Sequence, residues 1–158
     1  MDANHALAES LRQLGPRLEA TGCRWTVIAS AAVALHTGDA AGIGDLDVLV
    51  DADGAAAAFA ALGLPLLSGK PSDRFRSRWF GRWQAPPLAV ELFAGFELFA
   101  EGGWQPVRVA SRQALSFAGV PAYAPAVLEL ADMLRRFGRP KDLARAERLT
   151  TSARFPSR

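Results

Sequence analysis

The sequence predicts an α+β domain (α/β in some schemes) with a small mixed sheet, helices on one face and a C-terminal helical pair. Three observations carry this. Short runs rich in strand formers alternate with helical runs, as at Trp25-Thr26-Val27-Ile28 and Leu46-Asp47-Val48-Leu49-Val50. Gly and Pro punctuate the runs. The last third of the chain turns to helical spacing, divided by Gly138 and Pro140.

The elements follow in order. Leu7, Leu11, Leu14 and Leu18 stand at helical spacing and predict an amphipathic helix over 5–21 that ends near Gly22. Residues 24–29 form a buried strand. Ser30 is then the expected N-cap of a helix from Ala31 to about Thr37, stopped by Gly38. The linker Asp39 to Gly44 leads into the strand 46–50. Gly54 to Leu62 is an alanine-rich helix closed by Gly63 and Pro65. Arg74 to Trp83 is a strand or hairpin arm, and Leu88 to Phe93 a further central strand. Phe96–Phe99 and Gln105–Val109 are expected to pair as a hairpin across Gly102-Gly103. Pro125 starts a helix with Val127, Leu128, Leu130, Ala131 and Leu134 on its buried side, and Pro140 opens a last helix to about Leu149.

Size and composition bound the function. At 158 residues the chain makes a single domain, taken as 1–150 with a patternless tail over 151–158. Half the residues are hydrophobic and 22% charged, an ordinary globular balance. The lone Cys23 excludes an internal disulfide, and no Cys/His zinc spacing occurs. With no signal-peptide pattern and no apolar run long enough to span a bilayer, the expected setting is cytoplasmic, reducing and free of membrane. Charge is unevenly spread. Residues 1–69 carry three basic and eight acidic side chains, and residues 70–158 carry fifteen and eight. Such asymmetry suits a cleft with one acidic wall for cations and one basic wall for phosphates, although scattered surface charge explains it equally well.

The chemistry centres on Asp45-Leu46-Asp47. On a strand, residues i and i+2 face the same way about 7 Å apart, so the two carboxylates can converge on shared cations. Without a cation, like charges at close approach repel by about 4 kcal/mol at moderate dielectric. An isolated Asp-x-Asp more often caps a turn and decorates a solvated strand edge. Here, however, the pattern of one carboxylate bracketed by apolar residues recurs at Leu88-Ala89-Val90-Glu91-Leu92-Phe93. Strands lie about 4.8 Å apart, so Glu91 can reach the pair from a neighbouring strand; Glu97 is a weaker substitute. Three carboxylates on adjacent strands suit Mg²⁺ or Mn²⁺ rather than zinc.

The stretch from Trp25 to His36, followed by Asp45 to Val50, resembles the opening of the polymerase-β-type nucleotidyltransferase fold. More narrowly, the chain is similar to the small bacterial nucleotidyltransferase-like proteins of the abortive-infection, type IV toxin family. These carry a Gly-Gly or Gly-Ser turn, a helix, an Asp-x-Asp strand, a later strand carboxylate and an Arg-x-Lys-Asp motif, matched here by Arg139-Pro140-Lys141-Asp142. The resemblance implies transfer of a nucleoside monophosphate from a nucleoside triphosphate to an acceptor that the sequence does not choose: a small hydroxylated molecule, a protein or an RNA end. It makes Asp45, Asp47 and Glu91 the metal ligands, with Glu91 helping to deprotonate the acceptor. Ser30 at a helix N-terminus, Lys141 and Arg139 become the residues that meet the triphosphate, and Asp142 orients its helix. The chain departs from the family at Ala29, where glycine is usual, and at Ala40 to Gly44, which lacks the usual arginine and threonine. A non-catalytic module of the same fold, binding a nucleotide, RNA or protein, is therefore the rival reading.

Other residues have plainer accounts. Lys70, Arg74, Arg76, Arg78 and Arg82 alternate with Phe75, Trp79, Phe80 and Trp83. That pattern suits a nucleic-acid surface, but it suits an ordinary two-faced strand better. His36 is expected as a core histidine, Cys23 as chemically silent, and Trp104 as hairpin packing. Ser30 lacks a His/Asp partner pattern and is no hydrolase nucleophile.

Overall fold

The computed structural model describes residues 1–154. Helix α1 (Ala3–Glu19) is capped by Asp2, whose carboxylate accepts from the His5 N–H at 2.8 Å. Its leucines at 7, 11, 14 and 18 are fully buried, as their spacing requires. Next come strand β1 (Trp25–Ile28), helix α2 (Ala29–Thr37) and strand β2 (Asp45–Val50). A 3₁₀ turn over Ala52–Gly54 leads to helix α3 (Ala55–Ala61), and strands β3 (Phe75–Trp83), β4 (Ala89–Ala100) and β5 (Gly103–Pro106) follow. A hairpin of β6 (Gln113–Phe117) and β7 (Val120–Ala124) precedes helices α4 (Val127–Phe137) and α5 (Pro140–Arg154). Among the described residues, no helix is long and apolar enough to cross a membrane.

The main sheet is mixed, in the order β1-β2-β4-β3, with β5 pairing to the far end of β4. Strands β2 and β4 run parallel, and the other neighbours are antiparallel. Alternation fixes which face is buried. Leu46, Val48 and Val50 of β2 and Val90 and Leu92 of β4 are at most 2% exposed, packed with α1, α2 and Phe59 of α3 in one core. The other face therefore carries Asp45, Asp47, Leu49, Glu91 and Phe93. Ser10 ties α1 to the entry of β4, its hydroxyl accepting from the Leu88 N–H at 2.9 Å.

Five sequence expectations change. Leu128, expected on the buried side of the helix after Pro125, faces solvent at 74% exposure, off the stripe formed by Leu130, Ala131 and Leu134. Ser30 is not an N-cap. Helix α2 begins at Ala29, and Ile28 precedes it without any side-chain cap bond. The cause is Ala29 itself, which takes a left-handed φ of 57° and turns the chain one residue early. The second expected hairpin pairs as foreseen, Leu98 with Gln105 and Phe99 with Trp104. Its turn is Glu101-Gly102, though, with φ of 53° and 80°, the pattern of a tight two-residue hairpin loop. The β6–β7 hairpin was not foreseen, and it turns in the same way at Ala118-Gly119 (φ 48° and 80°). Finally, α5 continues past Leu149 to Arg154; the rest of the expected tail, 155–158, lies outside the described residues.

Candidate functional site

One row of residues crosses the sheet and assembles the site. Ile28 on β1 stands opposite Asp47 on β2, Asp47 beside Glu91 on β4, and Glu91 opposite Arg82 on β3. Asp45 lies two residues before Asp47 on the same face, next to Ala89. The expected reach of Glu91 from the neighbouring strand is met in register.

A cleft of about 200 Å³ opens over this row. Ile28 and Ala29 form one wall, Asp47 and Glu91 part of the floor, and Phe75, Phe93, Phe96 and Phe137 an aromatic side; Arg139 closes it. Two local features accompany the aromatics and the arginine. Gly95 takes a left-handed φ of 63°, and a Cβ at this position would come within 2.8 Å of the Arg78 Cβ. Beside it, Phe93 and Phe96 sit 5.1 Å apart, centroid to centroid, and both line the cleft. Helix α4 ends at left-handed Gly138, and Arg139 follows immediately. Asp142, fully buried, grips Arg139 through Nε at 2.6 Å, Nη2 at 3.0 Å and the backbone N–H at 3.2 Å. The guanidinium so fixed lies 4.9 Å from the centre of the Phe75 ring. Asp142 is thus the orienting residue of the Arg-x-Lys-Asp motif and Arg139 the one that reaches the cleft. Lys141 is exposed and does not line it. Ser30 is half-buried in the first turn of α2, directly after the Ala29 wall.

Electrostatics single out Asp47. Its Oδ1 is buried without a hydrogen-bond partner among the described residues. Burial first, and then the neighbouring Glu91 and Asp45 charges, push its carboxyl up to about 7. The other two carboxylates are spoken for by a residue not singled out for this role from sequence. Arg82 donates from Nη1 to Glu91 Oε1 at 2.7 Å and from Nη2 to Asp45 Oδ1 at 3.2 Å. One guanidinium thus bridges both ends of the acidic group.

This pairing decides how the residues suit a divalent cation. Among the described residues, no three His, Cys, Asp or Glu side chains stand ready to hold a metal, and Arg82 pairs with both Asp45 and Glu91. The donor chemistry nonetheless fits Mg²⁺ or Mn²⁺, which favour carboxylate oxygen. Asp47 Oδ1, buried without a hydrogen-bond partner among the described residues, is an oxygen that such a cation would suit. Displacing Arg82 would return two further carboxylates to it.

The remaining candidates behave as ordinary structure. His36 Nε2 lies 2.7 Å from the Pro125 carbonyl and anchors α2 to the start of α4. Burial raises the Cys23 thiol pKa. Trp104 packs edge-on against Phe99 and lies 4.5 Å below the Arg76 guanidinium. Arg76 itself clasps Glu97 across the strands through two bonds of 3.1 and 3.3 Å, so much of the basic strand serves as cross-strand pairing.

No known family model matches the sequence, and no curated protein matches it either. Solved structures do match. A Thermotoga maritima protein provisionally assigned as a nucleotidyltransferase superposes with a TM-score of 0.68 at 20% identity, over 92% of this chain and 91% of that one. The crystal structure of ANT(2'')-Ia with adenylyl-2''-tobramycin gives 0.58 at 9% identity, over 91% and 87%. The solution structure of the same antibiotic-resistance factor gives 0.62 at 10%, over 97% and 86%. At these identities the likeness establishes the nucleotidyltransferase fold.

Proposed function

We propose that the chain is a nucleotidyltransferase that moves a nucleoside monophosphate group from a nucleoside triphosphate to an acceptor, breaking the bond between the α- and β-phosphates and releasing pyrophosphate. The observation that carries this reading is the row of Asp47 and Glu91 in register, with Asp45 two residues before, facing a cleft in a nucleotidyltransferase fold. Asp45, Asp47 and Glu91 would hold the divalent cations, which supply positive charge to offset the phosphates and to acidify the acceptor hydroxyl. Glu91 sits at the cleft to accept that proton. Arg139, held rigid by Asp142, faces the phosphates, and the first turn of α2 offers the N–H groups and hydroxyl of Ser30. Lys141 would meet the triphosphate only beyond the cleft's edge. The narrower likeness to the abortive-infection, type IV toxin family rests on the ordered set of Trp25 to His36, Asp45-Leu46-Asp47, Glu91 and Arg139 to Asp142. A soluble cytoplasmic protein suits the composition.

The test is thermal. At about ten times its Kd, a Mg²⁺- or Mn²⁺-bound triphosphate should stabilise the protein by about 1.4 kcal/mol, a rise of about 3–6 °C. Asp47→Ala should remove the rise, and labelled triphosphate should transfer to a component of cell extract. No rise with any of the four common triphosphates would sink the proposal.

A second reading, a nucleotide-binding module without turnover, is favoured by two features of the same cleft. Arg82 occupies two of the three carboxylates, and Ala29 puts a methyl group on the wall where a phosphate must approach backbone. The left-handed φ of Ala29 costs about 1–2 kcal/mol, offset in a glycine variant by extra unfolded-state entropy of about 0.4–1 kcal/mol. Ala29→Gly should therefore leave stability unchanged or raise it by up to about 1.6 kcal/mol while tightening triphosphate binding several-fold, measured by titration calorimetry. Unchanged affinity would mean that the turn does not touch phosphate.

A further inference from the structure

A second cavity lies on the same sheet face, farther along the strands. At about 570 Å³ it is nearly three times the size of the carboxylate cleft. The two share Phe96 as a lining residue. Along β2 the step from Asp47 in one to Asp51 in the other is four residues, about 13 Å of strand. The cleft alone, at about 200 Å³, is smaller than the ~300–1,000 Å³ usual for a small-molecule site. A bound triphosphate would fill the cleft and extend beyond it, so the acceptor is to be sought outside it.

The charge of the larger groove is decided by which of its ionic groups are already engaged. Arg24, Arg78 and Arg108 line it, and none of the three forms an ion pair among the described residues. Glu97 is clasped by Arg76, and Asp51 accepts the Arg24 backbone N–H at 2.9 Å. Arg78 is exposed on the central part of β3 and Arg108 on the segment after β5, so they approach from two sides. Arg24 is held in place by its bond to the Ala110 carbonyl at 3.2 Å. Three guanidiniums against the one carboxylate of Asp51, which no guanidinium among the described residues pairs, leave the groove net positive and suited to phosphate oxygens, which arginines can grip bidentately. They would repel a polyamine acceptor.

Building on the nucleotidyl-transfer reading, we propose that this groove binds the acceptor and that the acceptor carries phosphate, its hydroxyl lying at Glu91 and its phosphate at Arg24, Arg78 and Arg108. A free phosphomonoester and the phosphodiester backbone of an oligonucleotide share this chemistry. Binding of ribose 5-phosphate and of a 5'-phosphorylated tetraribonucleotide is measured by calorimetry on the wild type, on the double variant Arg78→Ala/Arg108→Ala and on Asp47→Asn. Magnesium triphosphate is titrated into the same three proteins. The double variant should weaken binding of at least one phosphorylated probe tenfold or more and leave triphosphate affinity within twofold, and Asp47→Asn should do the reverse. Whichever probe binds tighter identifies the source of the phosphate. Equal probe affinity in wild type and double variant overturns the proposal, and so does absence of binding by both probes. Loss of triphosphate affinity in the double variant would assign the arginines to the triphosphate and also overturn it. If the probes bind through the arginines but the wild type takes no triphosphate, nucleotidyl transfer falls, and the acceptor role falls with it. Circular dichroism melts of the variants separate lost binding from lost folding.

Discussion

At pH 8 and without added metal, Asp47→Asn raises the melting temperature by roughly 10 °C, and the gain fades as the pH is lowered toward 4. The folded chain holds the Asp47 proton up to about pH 7, whereas the ordinary carboxyl value is 3.8. The folded state therefore binds more protons than the unfolded state between those values, and its stability falls as pH rises through that window. Above about pH 7 the full cost of an ionised, buried carboxylate beside Glu91 and Asp45 is present. At ~1.4 kcal/mol per pKa unit, the difference of about three units is on the order of 4 kcal/mol, or roughly 10 °C for a domain of this size. Asparagine keeps the shape without the charge, so it recovers most of that energy at pH 8 and almost none at pH 4. The measurement is a set of melts from pH 4 to 8 in EDTA. A difference that is flat with pH would show that Asp47 is ionised throughout and that its Oδ1 is not isolated. The same cost is what a divalent cation would relieve, so Mg²⁺ should stabilise the wild type and not the variant.

The acidic row was largely legible in the sequence because it depends on local rules. Alternation on a strand puts Asp45 and Asp47 on one face, and an apolar bracket marks Glu91 as the matching position of a neighbouring strand. Burial then restricts the register of Glu91 to positions on the Asp45–Asp47 face, and the parallel pairing with Asp47 itself comes from the structure. Arg82 was visible only as one of several arginines in a basic, aromatic strand. Its role depends on the antiparallel register of β3 against β4, set by side chains that give no signal around residue 82. The β6–β7 hairpin was illegible for a compositional reason. Ala114, Ala122, Ala124 and Pro121 are poor strand formers, and only the Ala118-Gly119 turn marks the place. Helix α2 began a residue early because an alanine accepted a backbone conformation that propensity assigns to glycine. At the Arg-x-Lys-Asp motif the resemblance identified the segment but not the division of labour. Burial of Asp142 and its grip on Arg139 make the arginine, not Lys141, the residue aimed at the cleft.

Arg82→Met should bind Mg²⁺ about ten- to a hundredfold more tightly than the wild type. In the metal-free protein the guanidinium offsets Asp45 and Glu91 at 3.2 and 2.7 Å, the service a cation would otherwise perform. A metal must break both pairs before it can use those oxygens. Each pair is exposed enough, with the arginine side chain 41% accessible, to contribute only about 0.2–1 kcal/mol. Losing the two together, and with them the repulsion between the guanidinium and an incoming dication, amounts to about 1.4–2.8 kcal/mol, which is the stated factor. Methionine preserves the apolar stem without the charge. In EDTA at pH 8 the variant should melt below the wild type, because three carboxylates then face one another unneutralised. In 10 mM Mg²⁺ the order should reverse or close. Calorimetric titration of Mg²⁺ into both proteins gives the Kd values directly. Equal Kd values would mean that the arginine swings clear at no cost. A weaker Kd in the variant would mean that Arg82 orients the carboxylates for metal rather than competing with it, and turnover would then fall with Arg82→Met instead of requiring less metal.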